Sequence, residues 1–409
     1  MPGTNVSSAL EEQNIDGDAA RIANLIRAAG RVSRGELAQR TGLSRTAVAA
    51  RLKLLESLGL VRDVGAPRST GGRPASLVEF AEDAGLVVGV DLGATSVDVG
   101  LTGLAATPLE IRGERLDVRN GPTSVLERCD ALIDALLADH SVEPERIRGL
   151  GIGLPGPVEF ATGRPVSPPI MPGWDQYPVL EHFRDNYGCP VVVDNDVNVM
   201  AQGEQWAGAG ADVDDFLWIK LGTGIGCGIV TDGRPFRGKN GCAGDIGHIA
   251  VGDDQTLCSC GKTGCLEAIA GGAALGRAAE TLALMGESPA LSRLREERGS
   301  VTAVEVGVAA AQGDLAAVEL IRSAGTAIGR VLAGLINFYN PELVIVGGGV
   351  ADISDLMLAA IREAVYGRSA PLATRELVIA KSSLGGRAGV IGAAAMVVRG
   401  LYSLEPLRN

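Results

Sequence analysis

Apolar residues Ile22, Leu25 and Ile26 recur at i, i+3 and i+4, the spacing of one helical face. Ser33 with Glu36 three residues on forms a capping-box pattern for a second short helix, and Thr41-Gly42 supplies its stop. Ser44 is placed to cap a third helix reaching Leu58-Gly59, with Val48, Leu52 and Leu55 on its buried side. Thr46, Ala50 and Lys53 fall on the opposite side, with Arg45 and Arg51 at the flanks. The period then changes to that of strands at 60–64 and 76–80, on either side of a Gly/Pro-rich tip holding Arg68 and Arg73. Two short helices, a glycine turn and a two-stranded wing are the pattern of a winged helix-turn-helix.

From residue 86 onward, buried strands alternate with helical stretches. Strands are expected at 86–95, returning at 96–101, and then at 150–157, 191–196, 217–221 and 343–346. Helices are expected at 197–206 and 327–339. Such alternation predicts an α/β body. The 57 glycines of the 409-residue chain follow no collagen period and suit tight strand-to-loop turns. Seven cysteines, an odd number, argue against a disulfide framework and for thiols in a reducing, cytoplasmic compartment. Residues 1–18 lack the pattern of a signal peptide, and no apolar run is long enough for a membrane span.

Charge divides the chain. Residues 21–80 carry eleven basic and four acidic side chains, a net +7, which leaves −19 on the remainder of a chain whose total is −12. A basic module on an acidic body implies a polyanionic partner for the module alone. Small residues on the third helix allow it to enter a major groove. The candidate contacts to double-stranded DNA are Ser44, Arg45, Thr46, Ala50, Arg51 and Lys53, with Arg68 and Arg73 on the wing. The alternative is a helical dimerisation module with a solvated basic face.

Several polar clusters in the body carry candidate chemistry. His248, Cys258, Cys260 and Cys265 offer one imidazole and three thiolates, the ligand types of a closed, structural Zn²⁺ site. Asp245 and Glu267 flank them, tethering two carboxylates to the same loop. Asp91 at a strand end, with Gly93 and Thr95 behind it, can hold a hydrated Mg²⁺ and a phosphate edge, or can belong to an ordinary hairpin turn. Alternate glycines around Gly222, Thr223, Gly224 and Gly226 bare one face of a hairpin for backbone N–H contacts to phosphate. The exit at Gly348 suits an adenine or ribose, or simply a strand-to-helix turn. Asn195 and Asp196 at the end of a strand either bind and deprotonate a sugar hydroxyl or cap the helix that follows. The stretch 233–239 imitates a P-loop, but Asn240 stands where Ser or Thr would bind Mg²⁺ and Pro235 interrupts it.

Together, Leu221-x-x-Gly224-Ile225-Gly226-x-Gly228-Ile229, Gly238, Gly244-x-x-Gly247-His248 and the Cys/His set resemble the ROK family of repressors and sugar kinases over about residues 85–398. The resemblance implies an actin-like fold of two α/β lobes around a ligand cleft. It implies that Asn195 binds a sugar hydroxyl and that Asp196 is the catalytic base in a kinase. Gly156 would lie in a turn lining the pocket, Glu267 would accept sugar hydroxyls, and His248 would serve both the metal and the sugar. Where the family usually has glutamate, this chain has Asp245, one methylene shorter.

Family repressors carry an N-terminal module that the kinases generally lack. The expectation is therefore a sugar-responsive regulator, a homodimer or homotetramer with a sugar effector. The rival is an ATP- and Mg²⁺-dependent sugar kinase. The expected division is a disordered stretch 1–20, a winged module 21–84, a first lobe 85–195 with 386–409, and a second lobe 196–385.

Overall fold

A computed structural model describes residues 16–65 and 76–402. The first helix, α1 (Gly17–Ala29), starts four residues before the expected module boundary, because Asp16 caps it by accepting from the Ala19 N–H at 2.7 Å. A short strand, β1 (Arg31–Ser33), follows; the sequence pattern did not predict it. Next come α2 (Arg34–Thr41) and α3 (Arg45–Ser57). The Ser33 hydroxyl accepts from Glu36 N at 3.1 Å, but the expected capping box is only half made. The Glu36 carboxylate instead pairs with Arg40 one turn on, at 2.7 Å, a charge-assisted contact. Gly42 closes α2 in the left-handed conformation. Val48, Leu52 and Leu55 are the buried residues of α3, each worth roughly 1.5–3 kcal/mol of burial. Strands β2 (Val61–Gly65) and β3 (Leu77–Phe80) complete a sheet of order β1-β3-β2. The wing tip with Arg68 and Arg73 lies outside the described residues.

Next along the chain come β4 (Leu86–Leu92), β5 (Ser96–Gly103), β6 (Pro108–Arg115), α4 (Pro122–Asp139) and β7 (Ile147–Leu154). The short pair β8 (Val158–Glu159) and β9 (Arg164–Pro165) follows, then α5 (Val179–Tyr187), β10 (Val191–Asn195) and α6 (Asp196–Ala207). The sheet runs β10-β7-β4-β5-β6, with β4, β7 and β10 parallel and β4, β5 and β6 an antiparallel meander.

The remaining strands are β11 (Phe216–Leu221), β12 (Ile225–Thr231), β13 (Arg234–Pro235), β14 (Leu343–Gly347) and β15 (Val378–Lys381). Between β13 and β14 lie α7 (Leu266–Ala270), α8 (Gly272–Met285), α9 (Pro289–Arg298), α10 (Ala303–Ala311) and α11 (Leu315–Tyr339). Helices α12 (Asp355–Tyr366) and α13 (Ala388–Tyr402) follow β14 and β15 respectively. This second sheet, β13-β12-β11-β14-β15, repeats the first in topology: a meander of three strands, then two strands parallel to its first member. The imitation P-loop falls on β13, an edge strand with no helix behind it, so it has no phosphate-binding geometry. Residues 287–300, unexplained by sequence, centre on α9, capped by Ser288 and pinned by Arg295–Glu280 and Arg298–Glu305 ion pairs.

The chain divides into two compact units. One comprises Met1–Ser167, Gly173–Gly203 and Gly389–Asn409; the other comprises Pro168–Pro172 and Glu204–Ala388. The division expected at 195/196 moves into α6, whose helical backbone continues across it, and that at 385/386 moves to 388/389. In the first unit α13 presses directly on the sheet. A Cβ at Gly89 would lie 2.3 Å from the Val390 carbonyl oxygen, and one at Gly151 would lie 2.0 Å from that of Ala393. Some of the glycine thus serves helix-on-sheet packing, while others, such as Gly42 and Gly188, sit at positive φ in turns as the sequence suggested. The winged module belongs to this unit, since the Glu82 carbonyl accepts from Leu104 N at 2.9 Å and Arg62 bridges Glu79 and Asp83. In the second unit, Ile219, Val344 and Val346 of the sheet share a core with Ile321, Ile328 and Leu332 of α11 and with Met357 and Ile361 of α12.

Candidate functional sites

The exposed face of α3 is chemically simple. Ser44 caps the helix through a 3.1 Å bond from Ala47 N. Arg45, Thr46, Ala49, Ala50 and Lys53 are all exposed. Ala49, one turn beyond Arg45, was missed by the sequence argument, although its i+4 spacing was visible.

Most cations of the module are already engaged. Arg31 and Arg62 hold Glu79, Arg34 holds Glu56 and Asp63, Arg40 holds Glu36, and Arg21 donates to the carbonyls of Arg40 and Thr41. Arg51, expected on the DNA face, pairs instead with Asp16 and Asp18 at 3.2 Å each, because α1 begins early enough to bring those acids alongside. Among the described residues of the module, Arg45 and Lys53 are the cations left without an acidic partner or a hydrogen bond. Asp16, Asp18, Glu82 and Asp83 fold with the module, so residues 16–84 hold eleven basic and eight acidic side chains, +3 where the shorter window had +7.

The strand ends of the first unit hold Asn195 and Asp196. Asn195 Oδ1 accepts from Val197 N at 3.0 Å and Asn198 N at 3.4 Å, and its Nδ2 donates to the Gly156 carbonyl at 2.8 Å. The cap is therefore made, and it draws the Gly156 turn to the start of α6. Asp196 opens α6 and is only 3% exposed. Beside it, Asp194 accepts from Asn195 N and Asn198 Nδ2. Asp91, also buried, lies against the first turn of α13, where a Cβ on Gly389 would come within 2.0 Å of its Oδ2. A carboxylate there is favoured by the helix dipole. Gly93 N closes the β4–β5 hairpin on Ser96 O at 2.8 Å, leaving Thr95 exposed.

In the second unit, the glycine-rich hairpin is less bare than expected. Gly222 O accepts from Gly272 N and Thr223 O from Ala273 N, which fastens the turn to the start of α8. Ile225 N donates to Glu267 Oε2 at 3.2 Å. A Cβ on Gly224 would lie 1.9 Å from that same oxygen, so Gly224 makes room for a carboxylate of its own chain. Gly226 pairs with Lys220 in the ladder. Gly348 leaves β14 against the Leu221 carbonyl.

The Cys/His loop is knit by Cys258 N to Lys262 O, Val251 N to Gly264 O and Leu266 N to Ile249 O. The four donor atoms of His248, Cys258, Cys260 and Cys265 lie within 4.8 Å of one another. His248 Nδ1 is 3.5 Å from Cys258 Sγ, and the sulfurs of Cys260 and Cys265 are 3.7 Å apart. Bonds of about 2.3 Å to sulfur and about 2.0 Å to nitrogen give tetrahedral edges of about 3.8 and 3.5 Å. The His248–Cys258 and Cys260–Cys265 separations match these edges, and the four donors are of the type and number that would hold one tetrahedral ion of the zinc type. The other ring nitrogen, Nε2, faces Asp245 Oδ1 at 3.8 Å, and the Asp245 side chain is half exposed. Gly244 has φ +94°, and a Cβ there would lie 1.8 Å from the Cys227 carbonyl oxygen, so this turn admits only glycine.

A helix-turn-helix with a wing, ahead of two units with the same sheet order, defines a class of two-part proteins. Residues 21–62 match the winged helix-turn-helix DNA-binding family model, and residues 87–399 match the ROK family model. The chain belongs to the ROK family. It is 30% identical over 370 residues to a putative xylose repressor of Caldicellulosiruptor sp. (strain Rt8B.4), covering 90% of this chain and 92% of that one. It is 32% identical to a glucokinase of Halalkalibacterium halodurans, covering 78% and 96%. The crystal structure of a ROK family transcriptional regulator, described as a homolog of the E. coli MLC protein, matches with a TM-score of 0.79 at 25% identity, over 94% of this chain and 96% of that one. A ROK family glucokinase from Streptomyces griseus, in complex with glucose and AMPPNP, matches with a TM-score of 0.67 at 31% identity, over 76% and 99%.

Proposed function

We propose that this protein is a sugar-responsive, DNA-binding transcriptional repressor. The observation that carries the reading is the winged module with an α3 face whose Arg45 and Lys53 have no acidic partner or hydrogen bond among the described residues. Supporting it, the xylose repressor relative is similar over 90% of the chain, whereas the glucokinase relative covers 78%. The module reads operator DNA, and the body binds a sugar or sugar phosphate, for which Gly156, Asn195, Asp196, Asp245, His248 and Glu267 are the candidate contacts. Zn²⁺ held by His248, Cys258, Cys260 and Cys265 is structural: it braces the loop that carries Asp245 and His248. A homodimer or homotetramer presents two modules to two half-sites, and sugar shifts the population of the DNA-competent state.

The test is fluorescence anisotropy on duplexes from the region upstream of the gene, with a panel of pentoses and hexoses. Salt-sensitive binding that one sugar changes at least tenfold is the expected result. Absence of salt-sensitive binding to any such duplex overturns the reading.

A second reading, ATP-dependent hexose phosphorylation, is favoured by the 31–32% identity to glucokinases and by Asp196 at the head of α6. Its test is ADP release from ATP, Mg²⁺ and a hexose panel. Turnover abolished by Asp196→Asn establishes it.

A further inference from the structure

The chemistry left on the DNA-facing surface restricts which bases it can recognise. This step rests on the DNA-binding reading: the winged-module match and the two unengaged cations supply the surface, and its side chains specify the bases. Around the axis of α3, Arg45, Ala49, Lys53, Thr46 and Ala50 follow one another along an exposed arc that runs from the flank beside Leu52 to the side opposite Val48 and Leu55. Arg45 and Lys53 stand eight residues apart, about 12 Å along the axis, with Thr46, Ala49 and Ala50 between them.

Bidentate recognition of adenine takes Asn or Gln, and recognition of cytosine takes Asp or Glu. From Arg45 to Lys53 none of these stands on the arc; Glu56 falls on it one turn further down, near the end of the helix. The neighbouring acids are spent: Glu56 pairs with Arg34, and Asp63 pairs with Arg34 and accepts from Ser76. Ser44 Oγ is held by the helix cap. What remains is one guanidinium, which matches guanine O6 and N7, the Thr46 hydroxyl, which does not discriminate among bases, and three methyl groups, from Thr46, Ala49 and Ala50. In a major groove, the partner for such a methyl is the C5-methyl of thymine. Lys53, lower on the helix, is a point charge suited to phosphate.

We infer that α3 reads a half-site of one guanine followed by thymines, with Arg45 hydrogen-bonding the guanine and Thr46, Ala49 and Ala50 packing against thymine methyl groups. Specificity at the thymines is then apolar, and it disappears with the methyl group and not with the base pair.

The test uses the full-length protein. Duplexes are first selected from a random library, and each enriched thymine is then replaced singly by deoxyuridine, which removes only the C5-methyl. The expected result is an enriched guanine–thymine half-site in which at least two deoxyuridine substitutions each weaken binding about fourfold, the worth of one buried methyl-sized group. Thr46→Ser keeps the hydroxyl and removes the methyl. It should cost a similar factor on the thymine duplex and nothing further on the deoxyuridine duplex at its position.

Arg45→Lys should relax selection at the guanine while Lys53→Ala weakens all duplexes alike. Because these side chains are exposed, circular dichroism should show every variant folded. An enriched site without thymine, or deoxyuridine duplexes bound as tightly as thymine ones, overturns the inference and leaves the DNA-binding reading standing. Selection that enriches no duplex at all defeats that underlying reading instead.

Discussion

The two units share one sheet order and differ in what joins the meander to the fourth strand. In the first unit a single helix, α4, makes the crossover from β6 to β7. In the second, the crossover from β13 to β14 carries the Cys/His loop and five helices, α7 to α11. Their polar residues are used differently as a result. Asn195 in the first unit is committed to its own backbone, through the α6 cap and the Gly156 carbonyl. In the second, three thiols and an imidazole crowd together with no strong hydrogen bonds among them, and Asp245 is half exposed. Such a cluster of weak donors is poorly satisfied until an ion joins it. The Asn195 amide is thus already spent on the fold, whereas the Cys/His donors still lack a strong partner.

The largest expected effect separates the two directly. On the zinc reading, a chelator should lower the melting temperature of the second unit by roughly 10 °C, as structural metal sites contribute folding energy outright. It should also change the number of alkylatable thiols. Burial pushes Cys129 and Cys227 up to about 12 and Cys189 up to about 11, so these stay unreactive near pH 8. Exposed Cys242 should react alone before chelation, and Cys258, Cys260 and Cys265 should join it afterwards. Equal thiol counts before and after would place no ion in the loop.

Next in size is Gly224→Ala. Its Cβ would collide with Glu267 Oε2, an overpacking cost of about 1–3 kcal/mol by thermal denaturation. Adding Glu267→Ala should restore stability but not sugar binding, which distinguishes a packing fault from loss of a ligand contact. Asn195→Ala removes the α6 cap and should cost about 1 kcal/mol, read by urea unfolding. A far larger loss of sugar affinity than of stability would show that Asn195 is more than scaffold. Asp245→Glu lengthens the exposed arm and should change sugar affinity by about two- to tenfold without moving the melting temperature, since its side chain caps nothing.

The smallest effect lies in the winged module. Hydrogen bonds from Arg62 and then Arg31 hold Glu79 below its ordinary value of 4.5. A depressed carboxylate contributes stability above that ordinary value and loses it as pH falls through the lower, folded one. Thermal scans below about pH 4.5 should therefore show wild type losing stability faster than Glu79→Gln.

Much of this was legible along the chain. The buried stripe of α3, the caps at Ser33 and Ser44 and the strand from 86 onward are local patterns, set by the 3.6- and 2-residue periods and by which side chains bond their own backbone. The Cys/His set was legible because its four members lie close in sequence and share one chemistry. Other features needed contacts between distant residues. Arg51 looked like a DNA contact until α1 brought Asp16 and Asp18 beside it. The module's excess charge shrank when those acids, with Glu82 and Asp83, proved to fold with it. Gly224 looked like space for a phosphate until Glu267, far along the chain, filled it. Residue type and period are properties of the sequence by itself. Which charges are spent and which spaces are filled depends on partners tens of residues away, and only the tertiary structure decides that.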